Sequence, residues 1–229
     1  MRIITGIYRG KKLQTLEGVT TRPTTDFIRE MIFSALYDMD VDMSNVLDLY
    51  AGCGSLGFEA LSRGAERVTF VEGSKKAVST LIANITELKC KDKCKIGLKK
   101  VETYLRSRKS EVGSRNEELK SPLPPFKKGG DCGRPPIYLS QEGNDKYSLV
   151  FLDPPYDKGL VNVTLGLLFE SSMLSDDCVI VAEHSYSEPI DECFREYVIK
   201  EKVNKPIVVT FFTASLSSKH DLTAGVKIP

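Results

Sequence analysis

The sequence predicts one α/β domain built on a mostly parallel sheet that helices cover on both faces. Short apolar runs alternate with segments whose apolar residues recur at helical spacing, which is typical of repeated strand–helix units. A glycine-rich turn joins the first such strand to its helix, as in nucleotide-binding sheets. At 229 residues and 41% hydrophobic content, the chain can bury one sizeable core but is short for two full domains.

The elements are expected in this order. A short strand over residues 3–8 precedes an amphipathic helix within residues 22–39, with Thr25 as its candidate cap. A helix from Leu56 to a stop at Gly64 and a helix with apolar positions 78, 81, 82 and 85 alternate with the next strands. The central strands are expected over residues 46–49, 68–72, 96–98, 148–152 and 179–183. The last two apolar runs, 197–199 and 207–212, lie too close together for a crossover and are expected to pair as an antiparallel hairpin.

An interruption covers residues 107–146. It holds five of the eleven prolines and five glycines, and it includes the stretch SPLPPFKKGGDCGRPP. Proline and glycine at this density oppose both helix and sheet, so we expect a disordered insertion. The polar tail over residues 214–229 is likewise expected to be flexible.

The charges separate along a chain whose formal net charge is only +1. Residues 1–29 carry a net charge of +4 and residues 89–128 a net charge of +8, whereas residues 142–196 carry −9. This segregation favours a face that binds a polyanion, with ordinary solvated surface charge as the alternative.

The cysteines and the hydropathy pattern predict a cytoplasmic protein without a membrane partner. Six cysteines are scattered, and neither a secretory signal nor an apolar run of membrane-spanning length is evident. Cys90 and Cys94 could suggest a metal site, but there is no second cysteine pair, and His184 and His220 lie far away in the sequence. We therefore predict no metal.

The first chemical motif is DLYAGCGSLGFEAL at residues 48–61. Gly52, Gly54 and Gly57 allow a sharp turn and a close approach of a ligand to the backbone. Glu72 follows the next strand, twenty residues after Gly52, where it can accept hydrogen bonds from the hydroxyls of a ribose. This spacing also describes a nicotinamide-dinucleotide site, so an oxidoreductase is a competing interpretation, although the length hardly permits the substrate domain it would need.

The second motif, DPPY at residues 153–156, directly follows the apolar strand SLVFL. Two prolines stiffen the turn and remove two N–H donors, which leaves the Asp153 carboxylate and the Pro154 carbonyl as acceptors. Acceptors on both N–H bonds of a heteroaryl amine would localise its lone pair toward a methyl donor. Tyr156 can stack on a base that has left its helix. The motif therefore separates a base-amine methyltransferase from an oxidoreductase.

In these motifs and in its N-terminal segment, the chain resembles the RsmD family of 16S ribosomal RNA guanine-N2 methyltransferases. The resemblance rests on MRIITGIYRGKKL, RPTTDFIREMIFSAL, VLDLYAGCGSLGFEALSRGA, FVEGS and LVFLDPPYDKGL. It implies a Rossmann-like class I methyltransferase with a seven-stranded, mostly parallel sheet, a C-terminal antiparallel hairpin and a small N-terminal β-hairpin and helix extension. Residues 1–40 would then form an RNA-binding extension and residues 41–213 the methyltransferase domain.

The resemblance also implies roles for individual residues. Those expected to bind S-adenosyl-L-methionine are Asp48, Ala51, Gly52, Gly54, Gly57 and Glu72. Those expected to hold the guanine amine are Asp153, Pro154, Pro155 and Tyr156. Those expected to contact RNA phosphates are Arg2, Arg9, Lys11, Lys12, Arg22 and Arg29.

The substrate implied by the family is 16S rRNA within the 30S subunit or an assembly intermediate. The reaction would be like that of the guanine-966 N2-methyltransferase. In place of the acid that usually ends the third strand near the adenine of the cofactor, this chain has Lys100 or a neighbour. The alternatives are a DNA adenine-N6 methyltransferase, which shares both motifs, and an RNA-binding assembly factor with decayed catalysis.

Overall fold

The computed structural model describes residues 1–16, 26–109 and 146–219. A single seven-stranded sheet organises them. The helices are α1 (Asp26–Asp38), α2 (Ser55–Ser62), α3 (Lys75–Leu88), α4 (Val101–Lys109), α5 (Leu160–Phe169) and α6 (Glu192–Arg195). The strands are β1 (Asn45–Leu49), β2 (Arg67–Val71), β3 (Cys94–Gly97), β4 (Tyr147–Leu152), β5 (Leu174–Ser185), β6 (Val198–Asn204) and β7 (Ile207–Thr213).

The strand order is β3-β2-β1-β4-β5-β7-β6. The first five strands of this order run parallel, and β7 pairs antiparallel with both β5 and β6. The chain order reverses between β1 and β4, where the carboxyl ends of two neighbouring strands open a crevice for ligands. The mostly parallel sheet and the antiparallel C-terminal hairpin confirm the predicted fold class.

Helices cover both faces of the sheet. The first apolar cluster packs α1, α2 and α3 against one face, and the second packs α4 and α5 against the other. Strands β1 and β4 send alternate residues to the two clusters, and every residue of both strands is buried. Burial on both faces explains why these strands are continuous apolar runs in the sequence.

The N-terminal segment departs from the strand expected over residues 3–8. An isolated antiparallel bridge between Arg2 and Lys12 holds it together, and turns occupy the residues between them. Gly6 and Gly10 have φ of +86° and +79°, which reverse the chain before a regular strand can form. Helix α1 lies where the sequence predicted it, but its candidate cap Thr25 lies outside the described residues.

The prediction of an insertion over residues 107–146 also falls mostly outside the described residues. At its start, α4 continues as a helix to Lys109. At the other end of the chain the described residues extend to 219, and the Ser218 hydroxyl is buried and donates to the Asp177 carboxylate at 2.6 Å. Within the part of the chain described, no helix has the length and apolar character needed to span a bilayer.

Candidate functional site

The glycine-rich turn between β1 and α2 is tight. Tyr50, Gly52 and Gly54 have left-handed φ values of +57°, +55° and +83°, a region that glycine enters without steric cost. The Gly54 amide closes the turn by donating to the Ala51 carbonyl at 2.7 Å. A Cβ at Gly54 would lie 2.5 Å from the Phe58 ring, whereas the nearest atom to a Cβ at Gly52 would be 3.9 Å away. The turn therefore leaves no space for a side chain at Gly54, whereas a Cβ at Gly52 would face open space.

Asp48 lies under this turn, and only 2% of the residue is exposed. A carboxyl oxygen of Asp48 accepts a hydrogen bond from the Gly57 amide at 2.9 Å, in the first turn of α2. A Cβ at Gly57 would lie 2.3 Å from the Phe70 ring, so glycine is required there. Burial raises the pKa of Asp48 to about 8, the Gly57 hydrogen bond opposes this rise, and the charge of Glu72 adds to it. The structure thus places Asp48 where it positions the turn from beneath.

Glu72 borders the turn from the end of β2. One of its carboxylate oxygens accepts from the Gly52 amide at 3.0 Å and the other from the Ser74 amide at 2.7 Å. Each carboxylate oxygen has a second lone pair for a ligand, and the side chain is partly exposed. The spacing of twenty residues in the sequence therefore corresponds to a direct contact. Lys100 lies nearby, with its Cα 3.6 Å from the position of a Cβ on Gly73.

The DPPY turn leaves the sheet beside the glycine-rich turn. Leu152, the last residue of β4, is in register with Leu49, the last residue of β1. Neighbouring strands lie about 4.8 Å apart, so Asp153 and the turn after β1 begin side by side at one edge. Asp153 is partly buried, Pro154 is buried and Pro155 is exposed. The fold thus brings the two predicted motifs to the same crevice.

The Tyr156 hydroxyl donates a hydrogen bond to the Glu183 carboxylate on β5. Glu183 is only 2% exposed, while the Tyr156 ring is partly exposed and packs against the first apolar cluster. The Tyr156 ring is therefore held in two ways, by the hydrogen bond of its hydroxyl and by its packing against the apolar cluster. Sequence reasoning did not identify Glu183, although an acid inside the apolar run VIVAEH was the available signal.

Polar contacts join the loop after Tyr156 to the loop after β5. The Asp157 amide donates to Glu188 at 3.0 Å, and the Ser187 hydroxyl donates to the Asp157 carboxylate at 2.9 Å. Asp157 itself has a φ of +57°. These contacts fix the exit of the DPPY turn, and no local pattern in the sequence signals them because they link residues thirty or more positions apart.

The Tyr50 hydroxyl reaches the opposite face of the sheet. It lies 2.9 Å from the Thr164 hydroxyl on α5 and donates to Glu102 on α4 at 3.5 Å. Burial raises the pKa of Tyr50 to about 12, with the Thr164 hydrogen bond opposing the rise and Glu102 adding to it. A phenol anchored in this way holds the backbone of the glycine-rich turn to both helices of the second layer.

The predicted phosphate contacts divide into exposed and buried groups. Those that are exposed on the N-terminal segment are Arg2, Arg9, Lys11 and Lys12. Arg22 lies outside the described residues. Arg29 is fully buried on α1, where its guanidinium donates to the Arg2 carbonyl at 2.8 Å and to the Asp26 carboxylate at 2.7 Å. The prediction for Arg29 is therefore corrected: it fastens the N-terminal segment to α1 and does not face a surface phosphate.

Three other residues named in the sequence analysis, Ala51, Cys90 and Cys94, are buried. Ala51 is buried and its amide donates to the Val71 carbonyl at 3.2 Å. The Cys94 thiol donates to the Cys90 sulfur across 3.6 Å, and both residues are buried. Among residues 1–16, 26–109 and 146–219, no group of three or more histidine, cysteine, aspartate or glutamate side chains is arranged to hold a metal ion.

The chain is similar to known proteins over most of its length. The family model described as Conserved hypothetical protein 95 matches residues 1–130 and 137–213. The Ribosomal RNA small subunit methyltransferase D of Haemophilus influenzae is 32% identical over 204 residues, covering 88% of each chain. Its Escherichia coli K12 namesake is 32% identical over 183 residues, which cover 80% of this chain and 74% of the relative.

Solved structures share the fold. The Escherichia coli protein yhhF superposes with a TM-score of 0.69 at 27% identity, covering 94% of this chain and 98% of that one. An RNA methyltransferase of Salinibacter ruber, solved with S-adenosyl-L-homocysteine, superposes with a TM-score of 0.50 at 16% identity, covering 84% of this chain and 94% of that one. The second likeness concerns the fold alone.

Proposed function

Because the chain belongs to the Conserved hypothetical protein 95 family, the RsmD family of methyltransferases, we propose that it transfers a methyl group from S-adenosyl-L-methionine to the N2 amine of a guanine in 16S rRNA. One observation carries the proposal. The glycine-rich turn with Glu72 and the DPPY turn leave β1 and β4 in register, at the carboxyl edge of the sheet. A methyl donor and an amine held by these two turns are neighbours.

The residues at the glycine-rich turn fit the cofactor. A side chain at Gly52 would extend into open space. Because glycine leaves that space empty, a ligand can approach the backbone closely. Glu72 retains free lone pairs for the two hydroxyls of a ribose, and Asp48 and Gly57 hold the turn in shape from below. When bound, the cofactor supplies an electrophilic methyl group on a sulfonium.

The DPPY turn supplies the acceptors for the target amine. The Asp153 carboxylate and the Pro154 carbonyl each accept one N–H of the guanine amine, which localises the nitrogen lone pair on the side facing the methyl group. Asp153 also takes up the proton that the methylated amine releases. Positioning of this kind contributes about 7–11 kcal/mol in well-oriented reactions, and no metal is required.

Tyr156 is the stacking platform for the extruded base. Its hydroxyl is fixed to the buried Glu183, so the ring has one orientation before the base arrives and loses little entropy on binding. Stacking of a base on an aromatic side chain is worth about 1–3 kcal/mol. A guanine from a single-stranded or looped region suits this site, because unstacked bases can be splayed into a pocket.

Two observations support an RNA substrate: relatives carry the name Ribosomal RNA small subunit methyltransferase D, and the N-terminal segment has exposed basic residues. Each of these that neutralises one phosphate adds about 0.9 to the slope of log affinity against log salt for duplex, and about 0.7 for single strands. The 30S subunit or an assembly intermediate offers the guanine in a folded context.

The decisive experiment incubates the protein with labelled S-adenosyl-L-methionine and three acceptors: unmethylated 30S particles, protein-free 16S rRNA and duplex DNA. We expect label in rRNA, and N2-methylguanosine after nuclease digestion and mass spectrometry. Asp153→Ala should lower kcat by at least about 100-fold, within the range of general acid–base and positioning effects. Asp176→Ala is the matched control, because that carboxylate is 87% exposed at the amino-terminal end of β5, away from the crevice.

Two results would overturn the proposal. Transfer to adenine in DNA, with none to rRNA, would make the protein a DNA adenine-N6 methyltransferase. Binding of rRNA without detectable binding of S-adenosyl-L-methionine by calorimetry would identify an assembly factor that has lost catalysis, and would locate the defect at the cofactor side, where Lys100 lies beside Gly73.

A further inference from the structure

A strongly basic strip follows the outer edge of the sheet. Six lysines and one acid, Asp92, occur between residues 89 and 100, a segment that we call the lysine edge. It contains β3, which among the described residues pairs with β2 alone. Its lysines are exposed, apart from a partly exposed Lys95. Lysines on an edge strand also deter unwanted strand pairing, so their number alone does not identify a binding surface.

The N-terminal arm, residues 1–16, is fastened to the helix that leads into this edge. The Gln14 amide donates to the Asn84 side-chain oxygen at 2.7 Å, and the Asn84 side-chain nitrogen donates back to the Gln14 carbonyl at 3.1 Å. Asn84 is fully buried on α3 and also donates to the Cys53 carbonyl of the glycine-rich turn at 3.0 Å. One amide therefore ties the arm, with its exposed Lys11 and Lys12, to the proposed cofactor site.

The arm and the lysine edge meet at Tyr8. Its ring packs against the apolar cluster that includes Cys90 and Cys94, the residues on either side of the Lys91–Lys93 turn. Burial raises the pKa of the Tyr8 phenol, and the nearby Cys90 and Cys94 sulfurs raise it further. Arg9 follows directly and is exposed. Tyr8 thus brings the two basic segments, which lie about eighty residues apart in the sequence, next to each other in the fold.

We infer that these two adjacent basic segments bind the phosphate backbone of the RNA that flanks the target base, so that the substrate extends from the crevice across the arm and along the lysine edge. This inference rests on the proposed function, which it deepens by placing a second RNA contact outside the arm. Ammonium groups on an exposed strip bind a polyanion regardless of sequence. Within the described residues, Lys89, Lys93 and Lys95 make no ion pair that would have to be broken first.

Two triple variants test the inference. The first replaces three lysines of the lysine edge with glutamine: Lys89, Lys93 and Lys95. The matched control replaces three lysines on or beside β6, at the opposite edge of the sheet, in the same way: Lys200, Lys202 and Lys205. Both remove three positive charges from one edge of the same sheet. Thermal unfolding of both variants checks that the fold is retained.

The measurements are the Kd for protein-free 16S rRNA at several salt concentrations, and KM and kcat for methyl transfer. The lysine-edge variant should bind about tenfold more weakly at about 0.1 M salt, and its slope of log affinity against log salt should fall by about 2–3, since each lost phosphate contact removes about 0.7–0.9. Its KM for RNA should rise in parallel while kcat and the affinity for S-adenosyl-L-methionine stay unchanged. The opposite-edge control should match the wild-type protein.

Equal effects of the two variants would overturn the inference, because net charge alone would then explain the loss. It would also fail if only the affinity for 30S particles, and not for protein-free RNA, changed, since that would indicate an acidic protein partner. Failure of the proposed function is separate. It would appear as absence of methyl transfer by the wild-type protein, while the Kd comparison would still report on the lysine edge.

Discussion

Replacing Asp48 with asparagine removes a carboxyl group that is buried beneath the glycine-rich turn. The folded protein keeps its proton up to a pKa of about 8, whereas the usual value is 3.8. Between these values unfolding releases a proton, so the free energy of unfolding falls as pH rises. Because one pKa unit corresponds to about 1.36 kcal/mol, this carboxyl alone lowers the free energy of unfolding by about 4 kcal/mol between about pH 5 and about pH 9.

Asparagine keeps an oxygen that can accept the Gly57 amide, and it does not ionise. The free energy of unfolding of the variant should therefore equal that of the wild-type protein near pH 4. As pH rises, the variant should become progressively more stable than the wild-type protein. Urea unfolding at a series of pH values measures this difference, with the exposed Asp38→Asn as control. Parallel loss of stability in the wild-type protein and Asp48→Asn across this range would refute the assignment of the buried proton to Asp48.

Three further predictions concern the arm and the crevice. Gly6→Ala should destabilise the protein by about 1–3 kcal/mol more than Gly10→Ala in urea unfolding. Both glycines have positive φ, but only a Cβ at Gly6 would meet α2, at 1.8 Å from a backbone oxygen. Equal losses of stability would contradict docking of the arm on α2. Tyr156→Phe should cost about 1–3 kcal/mol in thermal unfolding by leaving the buried Glu183 without that donor, while a fully stable variant would argue against the tether. Glu72→Gln replaces one of two acceptor oxygens with a donor, so calorimetry should find S-adenosyl-L-methionine binding weakened about tenfold or more; unchanged affinity would exclude Glu72 as a ribose ligand.

Much of the fold could be predicted because its signals are local. Apolar runs of strand length identified every strand of the sheet from β1 onward, and apolar residues at helical spacing identified α1, α2 and α3. Gly52 and Gly54 marked the turn of the site. The N-terminal strand was the exception, since the glycines at 6 and 10 turn the chain within a few residues. The position of Glu72 at the end of the second strand was also predictable, because a strand–helix–strand unit sets the distance between its two strand ends, whereas the hydrogen bond that it accepts from Gly52 became visible only in the structure.

Local sequence is enough to place both motifs at the sheet's carboxyl edge, since each one directly follows a buried parallel strand and chain direction sets that position. The contacts of individual polar side chains, in contrast, depend on how distant elements pack together. Arg29 reads as a surface cation in the helix pattern, yet packing buries it against the arm. Glu183 becomes the partner of Tyr156, and Tyr8 joins two basic segments, because these contacts depend on how distant elements pack and leave no periodic trace in the chain.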